Sequence, residues 1–393
     1  MSDDVRNAGF LRTVFPLAML MAMLSVGVGS AGAATLVVDK DGQQCRNADF
    51  QSISAAVAAA RAGDKIKVCP DLYTEAVVVN KARLTLTATG RGSRDCFDAS
   101  PAPADTTRDA IVTAPGSAGF DLQADRVTVT GFVVQGSTQG IRTGQAYSGH
   151  RVRRNLFQLN TLGAVFGGSG DRLSRLSHNC FRRNGSGPVG AGVFSAGNFG
   201  AELRRGRIDH NAFFQNNFAI RMGGGEDMRV DHNRSLLDNV FIRPAFTRAL
   251  EISSNRIGEG GSSAISFFLN PAVPQANADA VVSHNVIEDR GGHGIVADAS
   301  TLGNSLITGN RVTDAALDGI NLAAGNTGNR VERNRTEGNG SDGIHAQGAV
   351  RNVFLRNRMF GNAEHDAHDD NRPANEWNGN QCRTDLPAGT ICD

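Results

Sequence analysis

The chain has 393 residues, with 40 Lys and Arg against 39 Asp and Glu and a net charge of +1. A balance this even gives no global attraction to nucleic acid or to an anionic membrane, so neither is expected as a partner. Glycine is abundant at 47, while one Trp and two Tyr leave little aromatic surface of the kind that carbohydrate grooves use.

In chain order, the first 34 residues read as an export signal. Arg6 and Arg12 precede the apolar run LAMLMAMLSVGVG, and Ala31-Gly32-Ala33 supplies small residues for cleavage. The run is too short to span a bilayer, and nothing later is apolar enough to do so. The mature chain is therefore expected in the periplasm or outside the cell. There its six cysteines, Cys45, Cys69, Cys96, Cys180, Cys382 and Cys392, should form bridges. None sits in a CxxC pair, so a zinc site is not expected.

Residues 35–90 read as a cap and first coils. A helix near Ser52 to Ala62 carries Ile53, Val57 and Ala60 on one face and ends at Gly63. KIKV, EAVVV and RLTLTA follow as strands, and all four lysines of the chain lie in this module. Cys45 and Cys69 flank the helix, so a bridge there would staple the cap to the first coil. Residues 92–118, rich in Asp, Ser, Pro and Ala, read as a surface loop carrying Cys96.

Residues 126–370 repeat one pattern: two β-formers, a short polar pair, an Asn, one residue, an apolar residue, and later a Gly-Ile. The Asn recurs at Asn155, Asn179, Asn211, Asn233, Asn255, Asn285, Asn310, Asn334 and Asn357, with gaps of 22 to 32 residues. Gly294-Ile295, Gly319-Ile320 and Gly343-Ile344 mark the late corners. Val, Ile, Phe and Gly between them indicate strands, and units this short must stack to bury their apolar faces. A corner Asn tolerates left-handed backbone and can bond the next Asn above it. The wide gaps, 179 to 211 and 255 to 285, hold insertions expected to wall a groove. Phe157 and Phe360 are expected in core stacks.

Residues 371–393 form a tail in which Trp377 is expected to cover the last coil and Cys382 to pair with Cys392, leaving Cys96 and Cys180 to pair or stay buried.

The Asn period over Leu36 to the C-terminus resembles the secreted right-handed parallel β-helix family, the pectin-lyase-like fold with its internal Asn ladder. The tail, with Asn375-x-Trp377 and its two cysteines, resembles the ending of secreted bacterial β-helix proteins. The resemblance implies a mainly β solenoid, a single domain over 35–393 with a short N-terminal capping helix. It leaves function open, because this fold hosts lyases, epimerases, hydrolases, tailspikes and non-enzymes.

Chemistry is expected on the strand after the Asn-to-Gly turn, where relatives of this fold place calcium ligands and a substrate groove. The residue before each late Gly-Ile forms a column of His293, Asp318 and Asp342, extended to Asp366 by allowing one extra residue in the turn. Two residues after each glycine lies a second column of Val296, Asn321, His345 and, with the same allowance, Asp369. Carboxylates stacked about 5 Å apart either raise their pKa or bind a cation. On this reading Asp318, Asp342 and Asp366 hold a metal, calcium first. Asn321 and Asp369 bind substrate, and His345 or His293 acts as base. Turn capping by Asp before Gly is the competing explanation.

His178, His210, His232 and His284 precede ladder asparagines and are expected to stack structurally. Arginine makes up 36 of the 40 basic residues. Arg154, Arg333 and Arg356, with Arg256, Arg311, Arg335 and Arg358, edge one corner, for carboxylate or sulfate recognition or as an edge that discourages sheet pairing. With no Lys in the coils, a uronide-active site must use His or Arg as base. No DPHD-type epimerase motif occurs, and HDAHDD at His365–Asp370 is a loose echo of one. Two functions compete: a protein that binds or modifies an acidic polysaccharide, as a lyase or uronate epimerase, and a non-catalytic envelope or extracellular scaffold. Copper delivery is disfavoured, since only Met222, Met228 and Met359 follow the leader. Oligomeric state is left open.

Overall fold

Each coil runs strand, Asn corner, strand, turn, strand, and the same elements of successive coils pair in parallel. A computed structural model describes residues 32–90, 95–98, 104–168, 170–185, 187, 190–196, 203–269 and 276–393. The leader, parts of the 92–118 loop and parts of both insertions lie outside the described residues. Among those described, the strands form three parallel sheets of 14, 12 and 15 strands. The first sheet, from Thr35–Val38 to Glu376–Asn378, leads into the Asn corner. The second, from Asp71–Thr74 to Arg358–Phe360, leaves it, and the third, from Val77–Val79 to Asp385–Leu386, follows the Gly-Ile turn. This is the parallel β-helix that the repeat implies, and residues 33–393 cluster as one unit.

The core is a set of columns. Val152, Leu176, Ile208, Val230, Ile252, Val282, Ile307, Val331 and Phe354 lie in register along the first sheet and are fully buried. Strand period two turns every second side chain inward, so each coil adds one apolar layer to its neighbour's. Phe157, Phe181 and Phe213 stack at 5.0 and 5.1 Å in the same way. Phe360, expected in such a stack, is half-exposed. Trp377 closes the last coil, stacked 4.0 Å on Phe354.

The ladder extends one rung beyond the expected asparagines, to Asn380. At each rung the Asn carboxamide donates to the next Asn Oδ1 and to a carbonyl of the previous coil, as Asn285 does to Asn310 (2.9 Å) and Ile252 (2.9 Å). The left-handed residue at the corner is not the Asn but the one before it: Arg154, His178, His210, His232, Ser254, His284, Arg333 and Arg356 have φ between 52 and 56°. The Asn itself turns inward, while its predecessor projects outward.

A second buried ladder, Asn160, Asn184 and Asn216, ends on Asp238, whose Oδ1 accepts from the Asn216 amide at 2.7 Å and its carboxamide at 2.8 Å. In the next coils Gly260 stands where a Cβ would lie 1.7 Å from Nη1 of Arg290. The buried Arg290 guanidinium fills that space and donates to the carbonyls of Asp238, Asn239, Gly258 and Ser262. Burial pushes the Asp238 carboxyl up to about 6, against the pull of the Ser235 hydroxyl, the Asn216 amide and the Arg290 charge. The neutral acid is therefore favoured in the fold. Its contribution is complete below the unfolded value of about 3.9 and is lost as pH rises through about 6. Raising pH from 4.5 to 8 should destabilise these coils by about 2 kcal/mol. Hydrogen exchange at both pH values checks this, and Asp238→Asn should remove the dependence.

At the N-terminal end a helix, α1 (Ile53–Ala59), is capped by the Ser52 hydroxyl, with Glu75 accepting from the Ile53 and Ser54 amides. Ile53, Val57 and Ala60 are buried as expected. Cys45 pairs with Cys69, Cys382 with Cys392, and Cys96 with Cys180 across 84 residues. The last bridge fastens the 95–98 segment over the second sheet and contributes about 4.5 kcal/mol by chain entropy.

Candidate active site

The third sheet sets the register of the site. Ile295, Ile320, Ile344 and Ala367 are paired partners, and so are Val296, Asn321, His345 and His368. Asp366 therefore takes the place of Gly294, Gly319 and Gly343, and the residue below Asp342 is His365. Each of those glycines is required, because a Cβ would lie 2.4 to 2.6 Å from the carbonyl of the next rung.

Two of the three expected metal ligands meet and one does not. Asp318 and Asp342 are both buried on adjacent rungs, and the Asp342 amide donates to Asp318 Oδ1 at 2.9 Å. Asp366 is turned inward, where its carboxylate accepts from the Asn362 carboxamide at 2.9 Å and the Arg383 amide at 2.9 Å. It ends a ladder of Asn339 and Asn362, as Asp238 ends the earlier one. Asp369 is likewise internal, accepting from Trp377 Nε1 at 2.8 Å and Asn375 Nδ2 at 3.0 Å. Asn321 is buried and donates to Asp318 Oδ2 at 2.6 Å. Neither Asn321 nor Asp369 offers a free group to a groove. The allowance of one extra turn residue caused the difference, since a one-residue slip moves every side chain to the opposite face.

With the register corrected, His365 and His368 take the outward places. His368 Nδ1 lies 2.9 Å from Asp342 Oδ2, and His365 Nδ1 lies 3.0 Å from Asp342 Oδ1. His345 stacks on His368 with ring centroids 4.1 Å apart and planes within 4°. Its Nδ1 faces Asp342 at 3.4 Å and Asp318 at 3.6 Å. The Nε2 atoms of both rings converge on Asp370 Oδ1, at 3.3 Å from His345 and 3.1 Å from His368. His293 stands apart: its Nδ1 accepts from the Asp318 amide at 3.2 Å and lies 3.3 Å from the Asp318 carboxylate. His365, His368 and Asp370 were missed as site residues, although HDAHDD was the signal that could have found them.

The electrostatics follow from these contacts. Burial alone pushes the Asp318 carboxyl up, but hydrogen bonds with His293, His345, Asn321 and the Asp342 amide outweigh it and hold the group far below the usual range. Burial alone lowers His345, but Asp318, Asp370 and the Asp342 charge outweigh that and raise it. The two stacked rings thus meet carboxylates at both nitrogens beneath a partly open surface, which is the equipment for general acid–base catalysis.

The donor set does not fit calcium, which takes about six to eight oxygens. The Asp318 and Asp342 oxygens already accept from N–H groups, and Asp366 faces the interior. Nor do His345 and His368 suit a shared transition metal, because a metal lies in the plane of each imidazole that binds it. Two nearly parallel stacked planes share no such point.

On the corner beside the first sheet, His178, His210 and His232 stack at 5.0 Å, as expected for a structural column. Their neighbours Asp209 and Asp231 accept from Arg175 and Arg207 and lie 2.8 Å from the histidines at 210 and 232.

Comparisons with known proteins accord with this architecture. The family described as periplasmic copper-binding protein (NosD) matches residues 271–389, a minority of the chain that includes the whole His/Asp cluster. No curated protein matches the chain significantly. Among solved structures, the DFA-IIIase of Arthrobacter chlorophenolicus A6 without its lid, in complex with GF2, has a TM-score of 0.58 at 13% identity over 88% of this chain and 98% of that one. The Dettilon tailspike protein gives 0.55 at 13% identity over 88% and 66%. The catalytic unit of a GH87 α-1,3-glucanase from Streptomyces thermodiastaticus strain HF3-3 gives 0.54 at 15% over 90% and 70%. At such identities the likeness concerns fold alone, and the chain has the fold of a right-handed parallel β-helix.

Proposed function

We propose that this is an exported protein that modifies an acidic polysaccharide by proton transfer at the His345–His368 pair, as a lyase or uronate epimerase. The observation that carries the reading is the pair itself: two stacked imidazoles, buried carboxylates at their Nδ1 atoms, and both Nε2 atoms turned to the outward row of the third sheet. Substrate displaces Asp370 from the Nε2 atoms. One imidazole takes the proton from the carbon beside the uronate carboxylate. In a lyase the electron pair left behind forms the new C=C bond as the glycosidic C–O bond breaks. The second ring, as imidazolium, protonates the departing oxygen. In an epimerase the first ring keeps that proton and the second ring, as imidazolium, delivers its own to the opposite face of the carbon. His345, whose protonated form is favoured, is the donor in this scheme, and His368 is the acceptor. Three disulfides support an oxidising compartment. Among the described residues no helix is long and apolar enough to cross a membrane.

The carbohydrate-related names of the DFA-IIIase and the glucanase support a saccharide substrate for this groove. Among the described residues no soft site answers to the copper in the NosD family's name, because Met222, Met228 and Met359 are buried in the core. The test is purified protein incubated with polygalacturonate and with alginate, following unsaturated ends, reducing ends and C5 configuration, with calcium and with chelator. Product formation insensitive to chelator is expected. No product from either polymer in any condition would remove the enzymatic reading and favour a scaffold.

A further inference from the structure

Several coils before His345 and His368, the same outward row carries a different chemistry. Phe194, Arg221 and Arg243 are paired partners on successive rungs of the third sheet. The Arg221 guanidinium lies 5.6 Å from the Phe218 ring and 5.9 Å from Phe194. That of Arg243 lies 4.2 Å from Phe268 and 5.8 Å from Phe218. Most outward arginines of the first sheet meet carboxylates, as Arg175 meets Asp209, Arg207 meets Asp231 and Arg229 meets Glu251. Arg221 and Arg243 meet none within ion-pair distance among the described residues. They are half-buried, one rung apart, and Arg243 Nε is buried without a hydrogen-bond partner among the described residues.

Two like charges about 4.8 Å apart on a sheet repel. Burial and the neighbouring Arg221 charge both disfavour the charged form of Arg243, and Asp298 opposes them only from a distance. An anion placed between the two forks would satisfy the orphan donor and relieve the repulsion. Guanidinium groups match the planar geometry of a carboxylate or the tetrahedral face of a sulfate with paired N–H donors. The half-exposed Phe194 and Phe268 edges flank the guanidinium groups and offer apolar surface to a sugar ring.

We propose that Arg221 and Arg243, with Phe194, Phe218 and Phe268, form a binding subsite for an acid group of a linear polysaccharide lying along the β-helix axis. One rung past Arg243 the row continues beside Ile265, through Ser266, Val296 and Asn321, to His345. Those four rungs span about 19 Å at the ordinary interstrand spacing. A polymer held at the arginines therefore runs directly toward the histidine pair. Its role in catalysis rests on the function proposed above, but its existence as an anion site does not.

Calorimetric titration with polygalacturonate, with dextran sulfate and with neutral dextran tests the subsite, using the wild-type chain, R221Q/R243Q and H345Q. Binding of at least one charged polymer and not of neutral dextran is expected, and preference between the two distinguishes carboxylate from sulfate. R221Q/R243Q should bind the charged polymer about tenfold or more weakly, the loss expected for charge-assisted hydrogen bonds, with an unchanged melting curve. Should the double variant fail to fold, R243K keeps charge but not the fork and should still weaken binding. H345Q should lose far less binding than R221Q/R243Q, because it leaves the arginine subsite intact. Equal binding by the folded arginine variants, or no charged polymer bound by wild type, overturns the subsite. Normal binding without turnover overturns only the catalytic reading.

Discussion

His345→Gln is expected to lower kcat/KM on a uronate polymer by about a hundredfold to ten-thousandfold, the range of general acid–base contributions. Gln keeps a similar length and can still donate to Asp370, but it cannot carry the proton. His368→Gln should fall into the same range. The double variant should be little worse than either single one, because groups that pass protons between them act as a unit. His293→Gln should lose far less, since its ring reaches the pair only through the Asp318 carboxylate. The decisive comparison is kinetics on whichever polymer gives product, with melting curves showing that each variant is folded. Full activity in His345→Gln and His368→Gln would show that the stacked rings are a structural column like His178, His210 and His232.

Asn285→Ala should destabilise the chain by about 3 kcal/mol or more, since each buried polar group stripped of its partner costs about 1–3 kcal/mol. The substitution leaves the Asn255 amide and carboxamide without their acceptor at 3.0 and 2.9 Å, and the Ile252 carbonyl without its donor. In a stacked solenoid the loss should be local, because each coil touches mainly its neighbours. Hydrogen exchange should therefore accelerate first in Glu251–Ser253 and Val281–Ser283 and last in the capping helix. Unaltered exchange and melting would mean that the ladder adds register but little stability.

The β-helix and its bridges were legible in the chain because their causes are local and repeated. An Asn every 22 to 32 residues, flanked by β-formers, has few ways to bury itself other than in a stack. The cap helix announced itself through Ser52 and the spacing of Ile53 and Val57, and the short-range cysteine pairs followed from proximity. Asp318, Asp342 and His345 could be placed on adjacent rungs because their coils keep the Gly-Ile corner intact.

What the sequence by itself could not determine was the last rung of the site. There Asp366 replaces the glycine that marks the three coils before it, Gly294, Gly319 and Gly343. Without that marker two registers one residue apart read equally well, and strand period two makes them opposites. One sends Asp366 and Asp369 outward, and the other sends His365 and His368. Inward hydrogen bonds decided it, with Asn362 and Arg383 taking Asp366, and Asn375 and Trp377 taking Asp369. The Arg221–Arg243 pair was equally invisible, since 36 arginines look alike in a sequence and only packing reveals which of them lack a carboxylate. Long-range pairing, not residue type, turned an expected row of aspartates into a pair of histidines.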